Sequence, residues 1–135
     1  MQITALYSGL LGLILVYLSY NVAGHRKSHQ VGIGHGDNDD LGRAIRVQAN
    51  FTEYVPVALI LIAVFESNQG SSLITHSAGA TLVIARLLHA YGLGKTINVS
   101  FGRLSGIILT WLVILAISVL NIYHFVASAQ LSQIN

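Results

Sequence analysis

Arg43-Ala44-Ile45-Arg46-Val47-Gln48-Ala49-Asn50-Phe51-Thr52-Glu53-Tyr54 runs straight into Val55-Pro56-Val57-Ala58-Leu59-Ile60-Leu61-Ile62-Ala63-Val64-Phe65. At about 100° per residue, positions 43, 46, 50, 53 and 54 share roughly a third of a helix circumference. Glu53 lies ten residues past Arg43, about 15 Å along the axis and near the depth of a bilayer midplane. An ionisable group there costs on the order of 2.5–3.5 kcal/mol unless something pairs with it. Two arginines, an amide, a carboxylate and a phenol facing one way predict a site for a polar, zwitterionic ligand. In the plainer alternative, the arginines snorkel to lipid headgroups and Glu53 pairs with a basic residue of another helix. That suits Arg43 at the helix start, but it leaves Asn50, Glu53 and Tyr54 without a reason.

The surrounding chain explains why this segment is read in lipid. Of 135 residues, 53% are hydrophobic and 9% charged, which excludes an ordinary soluble domain. No charged side chain occurs from Met1 to Gly24 or from Leu104 to Asn135. Both stretches exceed the roughly 20 apolar residues that cross a hydrocarbon core. A cleaved signal peptide is disfavoured, because the basic cluster follows the first apolar run instead of preceding it. Four spans are predicted at about 3–23, 41–65, 73–91 and 104–126, with Gly, Asn, Asp and Ser marking the loops between them. The expected fold is all-α: one transmembrane domain over 1–135, built as a four-helix bundle. Pro56 removes a backbone donor inside the second span and reads as a structural kink.

All seven basic residues (Arg26, Lys27, Arg43, Arg46, Arg86, Lys95, Arg103) fall where spans 1 and 3 end and spans 2 and 4 begin. The positive-inside rule places that end in the cytoplasm and both termini outside it, as in a bacterial inner membrane. The formal charge of +2 gives no case for nucleic acid. The chain has no cysteine, so a sulfur nucleophile would have to arrive with a ligand.

Span 3 adds Arg86 and His89, three apart and on one face, with Tyr91 following. Arg86 reads equally as a partner for Glu53 and as a ligand contact. Span 4 opens Gly102-Arg103-Leu104-Ser105-Gly106, where Arg103 is either an interfacial anchor or a positive charge set beside the stripe. Other motifs carry less. His25 and His29 lack a third metal ligand at useful spacing, so no metal site is expected. Asp37-Asn38-Asp39-Asp40 reads as a helix cap, and Gly32-Ile33-Gly34-His35-Gly36 follows no strand that would make it a phosphate loop. Gly9 and Gly12, with Ala5 and Ser8, offer small residues for close helix packing.

The pattern Arg43-x-x-Arg46-x-x-x-Asn50-x-x-Glu53-Tyr54-x-Pro56 resembles the signature of the MAPEG family, the membrane-associated proteins in eicosanoid and glutathione metabolism. Length, four spans, a polar first loop, Ala85-Arg86-Leu87-Leu88-His89 and a basic start to span 4 resemble the family as well. The likeness is to short bacterial-type members and, among characterised ones, to microsomal glutathione transferases. It implies a homotrimer with glutathione bound between protomers near the cytoplasmic side. By position, Arg46, Asn50, Glu53 and Tyr54 match residues that hold the tripeptide, and Arg26 matches a basic position contributed by the neighbouring subunit. Arg43, Gln48, Arg86, His89 and Tyr91 complete the candidate binding set. His89 stands where members carry a tyrosine or histidine, and Leu93 where many carry a further tyrosine. Arg103 matches the arginine assigned to the glutathione thiolate.

The chemistry of the ligand agrees with that carry-over. Glutathione offers two carboxylates for arginines, an ammonium for Glu53 and amides for Asn50 and Gln48. The expected function is therefore a membrane glutathione transferase or peroxidase acting on lipophilic electrophiles or hydroperoxides, with glutathione as co-substrate and no metal. Expected partners are glutathione, a lipophilic second substrate, membrane lipid and further copies of the chain. Two alternatives are a structural interhelical ion network without catalysis, and a binder or transporter of a small anionic metabolite. The absence of an inverted repeat weighs against a transporter.

Overall fold

A computed structural model describes residues 1–96 and 98–132, with no side-chain description for 131 and 132. Four helices follow one another: α1 (Gln2–His29), α2 (Asp39–Ser67), α3 (Ser72–Lys95) and α4 (Phe101–Ser132). Each is long and apolar enough to cross a bilayer. All four run beyond the apolar spans read from sequence, because helical hydrogen bonding continues into the interfacial polar residues. α1 ends only at Gln30, whose left-handed conformation (φ 55°) lets its N–H bond back to the last turn. α2 begins at Asn38, whose side-chain carbonyl accepts the Leu41 N–H at 2.9 Å, with Asp39 and Asp40 in the first turn where the helix dipole favours anions. The acidic run is thus a cap, as expected.

α2 and α3 touch each other and both outer helices, whereas α1 and α4 do not meet among the described residues. The core lies between them, with Leu11, Phe51, Ile62, Leu82 and Ile117 almost fully buried. Outward faces carry Leu13, Tyr20, Ile60, Leu115 and Phe125, all largely exposed, which is a surface built for an apolar solvent.

Neighbouring helices run antiparallel, so the basic residues collect at one end. At the other end Glu66 is held by α1. Its carboxylate accepts the Ile3 N–H (3.0 Å), the Thr4 N–H (2.8 Å) and the Thr4 hydroxyl (2.5 Å), and the Met1 ammonium stands 3.5 Å away. One side chain of α2 thereby satisfies donors at the start of α1 that a helix cannot satisfy for itself.

Within the protomer, nothing comes within 4 Å of a Cβ built at Gly9 or Gly12 in α1. The tight approaches are on α3: a Cβ at Gly79 would stand 2.2 Å from the Tyr7 ring of α1, and the backbones of α3 and α4 meet closely. A Cβ at Gly106 would stand 2.5 Å from the Ala85 carbonyl oxygen and 2.6 Å from the His89 nitrogen; one at Gly92 would stand 2.3 Å from the Arg103 nitrogen. These glycines bring the backbone of Arg103 against the helix that carries Arg86 and His89. Gly106→Ala is expected to cost about 1–3 kcal/mol by overpacking and to displace the start of α4. Gly24→Ala, in open space on α1, should be neutral or stabilising by up to about 1 kcal/mol. Thermal unfolding of the two variants in detergent, followed by circular dichroism, checks the contrast.

Candidate functional site

The α2 stripe stands on the surface of the protomer. Arg46 and Glu53 side chains are 61% and 48% exposed, and Asn50 and Tyr54 are half-buried. Two turns apart, Arg46 Nη1 and Glu53 Oε1 approach to 3.5 Å, and Asn50 Nδ2 lies 3.5 Å from Glu53 Oε2. The stripe is a chain of paired polar groups.

Behind it lies Arg86, with no solvent exposure at all. Its Nη2 donates to Asn50 Oδ1 at 2.8 Å and stands 3.5 Å from His89 Nδ1, and its guanidinium lies over the Phe51 ring at 5.6 Å. Nε and Nη1 are buried without a hydrogen-bond partner among the described residues. Of the two readings of Arg86, the hydrogen-bonded pair with Glu53 does not form: Arg86 meets Asn50, while Glu53 faces Arg46. Asn50 links the surface stripe to the buried guanidinium and holds both of its amide ends engaged.

Above Asn50, towards the basic end, a cavity of about 570 Å3 opens, within the range of small-molecule sites. Arg43, Arg46, Asn50, His89 and Arg103 line it, so three helices contribute. Glu53 and Tyr54 lie a turn deeper and do not line it. Arg43 is tied to Asp40 on its own helix. Arg103 is placed by the start of α4, where Ser100 Oγ accepts its N–H at 3.3 Å in an N-cap arrangement. Three guanidinium groups line the cavity, with Asp39 also in its wall, and give it donors of the kind that suit carboxylates or another anion.

A family model described as the MAPEG family matches residues 4–123. The chain belongs to the MAPEG family. It is also 32% identical over 123 residues, 91% of this chain and 92% of the relative, to inner membrane protein YecN of Escherichia coli strain K12. The same figures relate it to inner membrane protein YecN of Escherichia coli O6:H1. This MAPEG protein is a multi-pass membrane protein, its match beginning within α1 and ending within α4.

The remaining candidates of this MAPEG chain sit apart from the cavity. Gln48 donates to Ser19 Oγ of α1 at 2.7 Å. Arg26 Nη1 donates to the carbonyls of Val31 (3.4 Å), Gly32 (3.1 Å) and Gly34 (3.1 Å), gathering the first loop against the end of α1. Tyr91 is 63% exposed on another face of α3, its hydroxyl 2.5 Å from Lys95 Nζ. His25 and His29 stack with ring centroids 6.1 Å apart, and among the described residues no set of three metal-ligating side chains forms.

Sequence reasoning passed over the loop that covers the cavity. Gly34, His35 and Asp39 line it together with Arg103. Positive φ at Gly34 (71°) and Gly36 (56°) turns the chain back, and the His35 ring packs 3.8 Å from the Cβ position of Gly42. The glycine run was the available signal: it is a device for reversing the backbone over α2.

Proposed function

We propose that this protein is a bacterial inner-membrane glutathione transferase or peroxidase, active as a homotrimer in which the α2 stripe is closed by a neighbouring protomer. The carrying observation is the stripe itself: Arg46 and Glu53 are half-exposed to what would be lipid, at a depth where that is costly. A second copy of the chain with a polar ligand between the two relieves that cost. Family membership and the inner-membrane relative support the reading.

In this reading glutathione enters from the basic, cytoplasmic end into the cavity beside Arg43, Arg46, Asn50 and His89. Its carboxylates meet the arginines, and its ammonium meets Glu53. Tyr54 flanks the same face, Gln48 on α2 offers its amide to the peptide groups, and Arg26 approaches from the neighbouring protomer. Arg103 faces the thiol and favours its ionised form by direct charge attraction. A free thiol near the ordinary cysteine value of about 8.5 needs only a modest downward shift to ionise at neutral pH. The thiolate attacks a lipophilic electrophile arriving through the bilayer, forming a C–S bond as the leaving group departs. Alternatively, it attacks the distal oxygen of a hydroperoxide, breaking the O–O bond to give an alcohol and glutathione sulfenic acid. A second glutathione converts the sulfenic acid to the disulfide and water. No protein nucleophile is required.

The test is ligand stabilisation of the purified protein in detergent. Glutathione at one hundred times its dissociation constant should stabilise the folded state by about 2.7 kcal/mol, read as a rise in the unfolding temperature. Glu53→Gln and Arg46→Gln should lose most of that rise. If millimolar glutathione leaves the wild-type unfolding temperature unchanged, the proposal fails.

A further inference from the structure

We propose that a second groove, between α1 and α3 at the basic end, holds one anionic phospholipid of the cytoplasmic leaflet. The groove encloses about 440 Å3 and is graded along its length. Its deep part is apolar, with Ile14 and Leu18 of α1, Val47 of α2 and Leu87 of α3. Its mouth is polar, with His25, Arg43 and Lys95. From Ile14 to His25 the wall of α1 rises about 16 Å, half of a hydrocarbon core of about 30 Å. The groove therefore matches one leaflet in depth and one lipid in polarity: acyl chain below, headgroup above.

The mouth selects for a headgroup of net negative charge. Asp40 neutralises one of the two permanent cations by pairing with Arg43, which leaves one positive charge in excess. Arg43 Nε is buried without a hydrogen-bond partner among the described residues. Lys95 Nζ is held upright, 4.2 Å from the Tyr91 ring centroid and 2.5 Å from its hydroxyl. This cation–π contact fixes the ammonium at the mouth, where a free lysine would wave through solvent. A soluble anion would leave the apolar trench unmatched, and an apolar protein face would bury Lys95 without a counter-charge. The lipid alone satisfies both ends. Arg43 also lines the larger cavity, so the headgroup shares a wall with the proposed glutathione site, although the lipid site does not depend on that reading.

The experiment uses fluorescence quenching by brominated lipids. Tyr17 lines the groove, and Trp111, the single tryptophan, is 53% exposed on α4, away from it. The full-length protein carrying Tyr17→Trp and Trp111→Phe is reconstituted in phosphatidylcholine vesicles containing a minor share of brominated phosphatidylglycerol or brominated phosphatidylcholine. The anionic lipid is expected to associate at position 17 about fivefold more strongly than the zwitterionic one, the effect of one basic residue at a membrane surface. Adding Lys95→Glu should bring the ratio to about one, and Lys95→Gln should give an intermediate value if the reversal prevents folding. Trp111 of the wild-type protein should show no preference. The proposal is overturned by a ratio of one at position 17, by a preference that survives both Lys95 variants, or by an equal preference at Trp111. It is also overturned if neither lipid quenches position 17, the result expected when a second protein chain covers the groove.

Discussion

Arg103→Leu is expected to lower turnover of a lipophilic electrophile by about 10²–10³-fold while changing glutathione affinity only a few-fold, the loss typical of one preorganised donor facing developing charge. The asymmetry follows from where the groups stand. Arg43, Arg46 and Asn50 line the cavity from α2, whereas Arg103 enters it from α4. With glutathione bound as proposed, removing Arg103 would leave the carboxylate and ammonium contacts in place and remove the charge assigned to the sulfur. Its backbone is anchored by Ser100 and by close approach to Gly92, so the leucine variant should fold. Steady-state kinetics in detergent, separating kcat from KM, gives the readout. Equal losses of binding and turnover would make Arg103 an anchor for the tripeptide instead.

The second large effect is expected at Asn50. Asn50→Leu removes the 2.8 Å acceptor of Arg86 and leaves a fully buried guanidinium with the weak approach to His89 and the Phe51 ring. Removing the neutral acceptor of a buried charged donor costs on the order of 2–3 kcal/mol, because the guanidinium stays desolvated and loses that hydrogen bond. The double variant Asn50→Leu with Arg86→Met should recover most of that loss, since two apolar groups of similar size then replace both partners. Thermal unfolding of the wild type, both single variants and the double variant measures the coupling. Additive single effects would show that Asn50 and Arg86 do not act as a unit.

The helices and their order were legible because lipid imposes a simple demand, about 20 apolar residues with internal hydrogen bonding, and the chain meets it four times. The α2 stripe was legible for the opposite reason: polar groups at regular helical spacing stand out against an apolar background. Partner choice was less readable. Glu53 and Asn50 lie on one face of α2, and sequence spacing cannot say which of them a side chain from α3 will reach. Arg86 meets Asn50, while Arg46 reaches along its own helix to Glu53. Gly106 and Gly92 stand in the sequence without a side chain to signal packing, yet they set how near the Arg103 backbone comes to the helix of His89. The His35 loop was missed because its glycines bend the chain by backbone conformation, which side-chain chemistry does not announce.

The central claim is that the stripe and cavity bind glutathione and ionise its thiol. Ultraviolet difference absorbance of the thiolate, recorded as glutathione is titrated into the purified protein at neutral pH, tests it most directly. The account predicts a saturable thiolate signal for the wild-type protein and its loss in Arg103→Leu, with glutathione still raising the unfolding temperature of both. A wild-type protein that shows neither the thiolate signal nor thermal stabilisation at millimolar glutathione would contradict it.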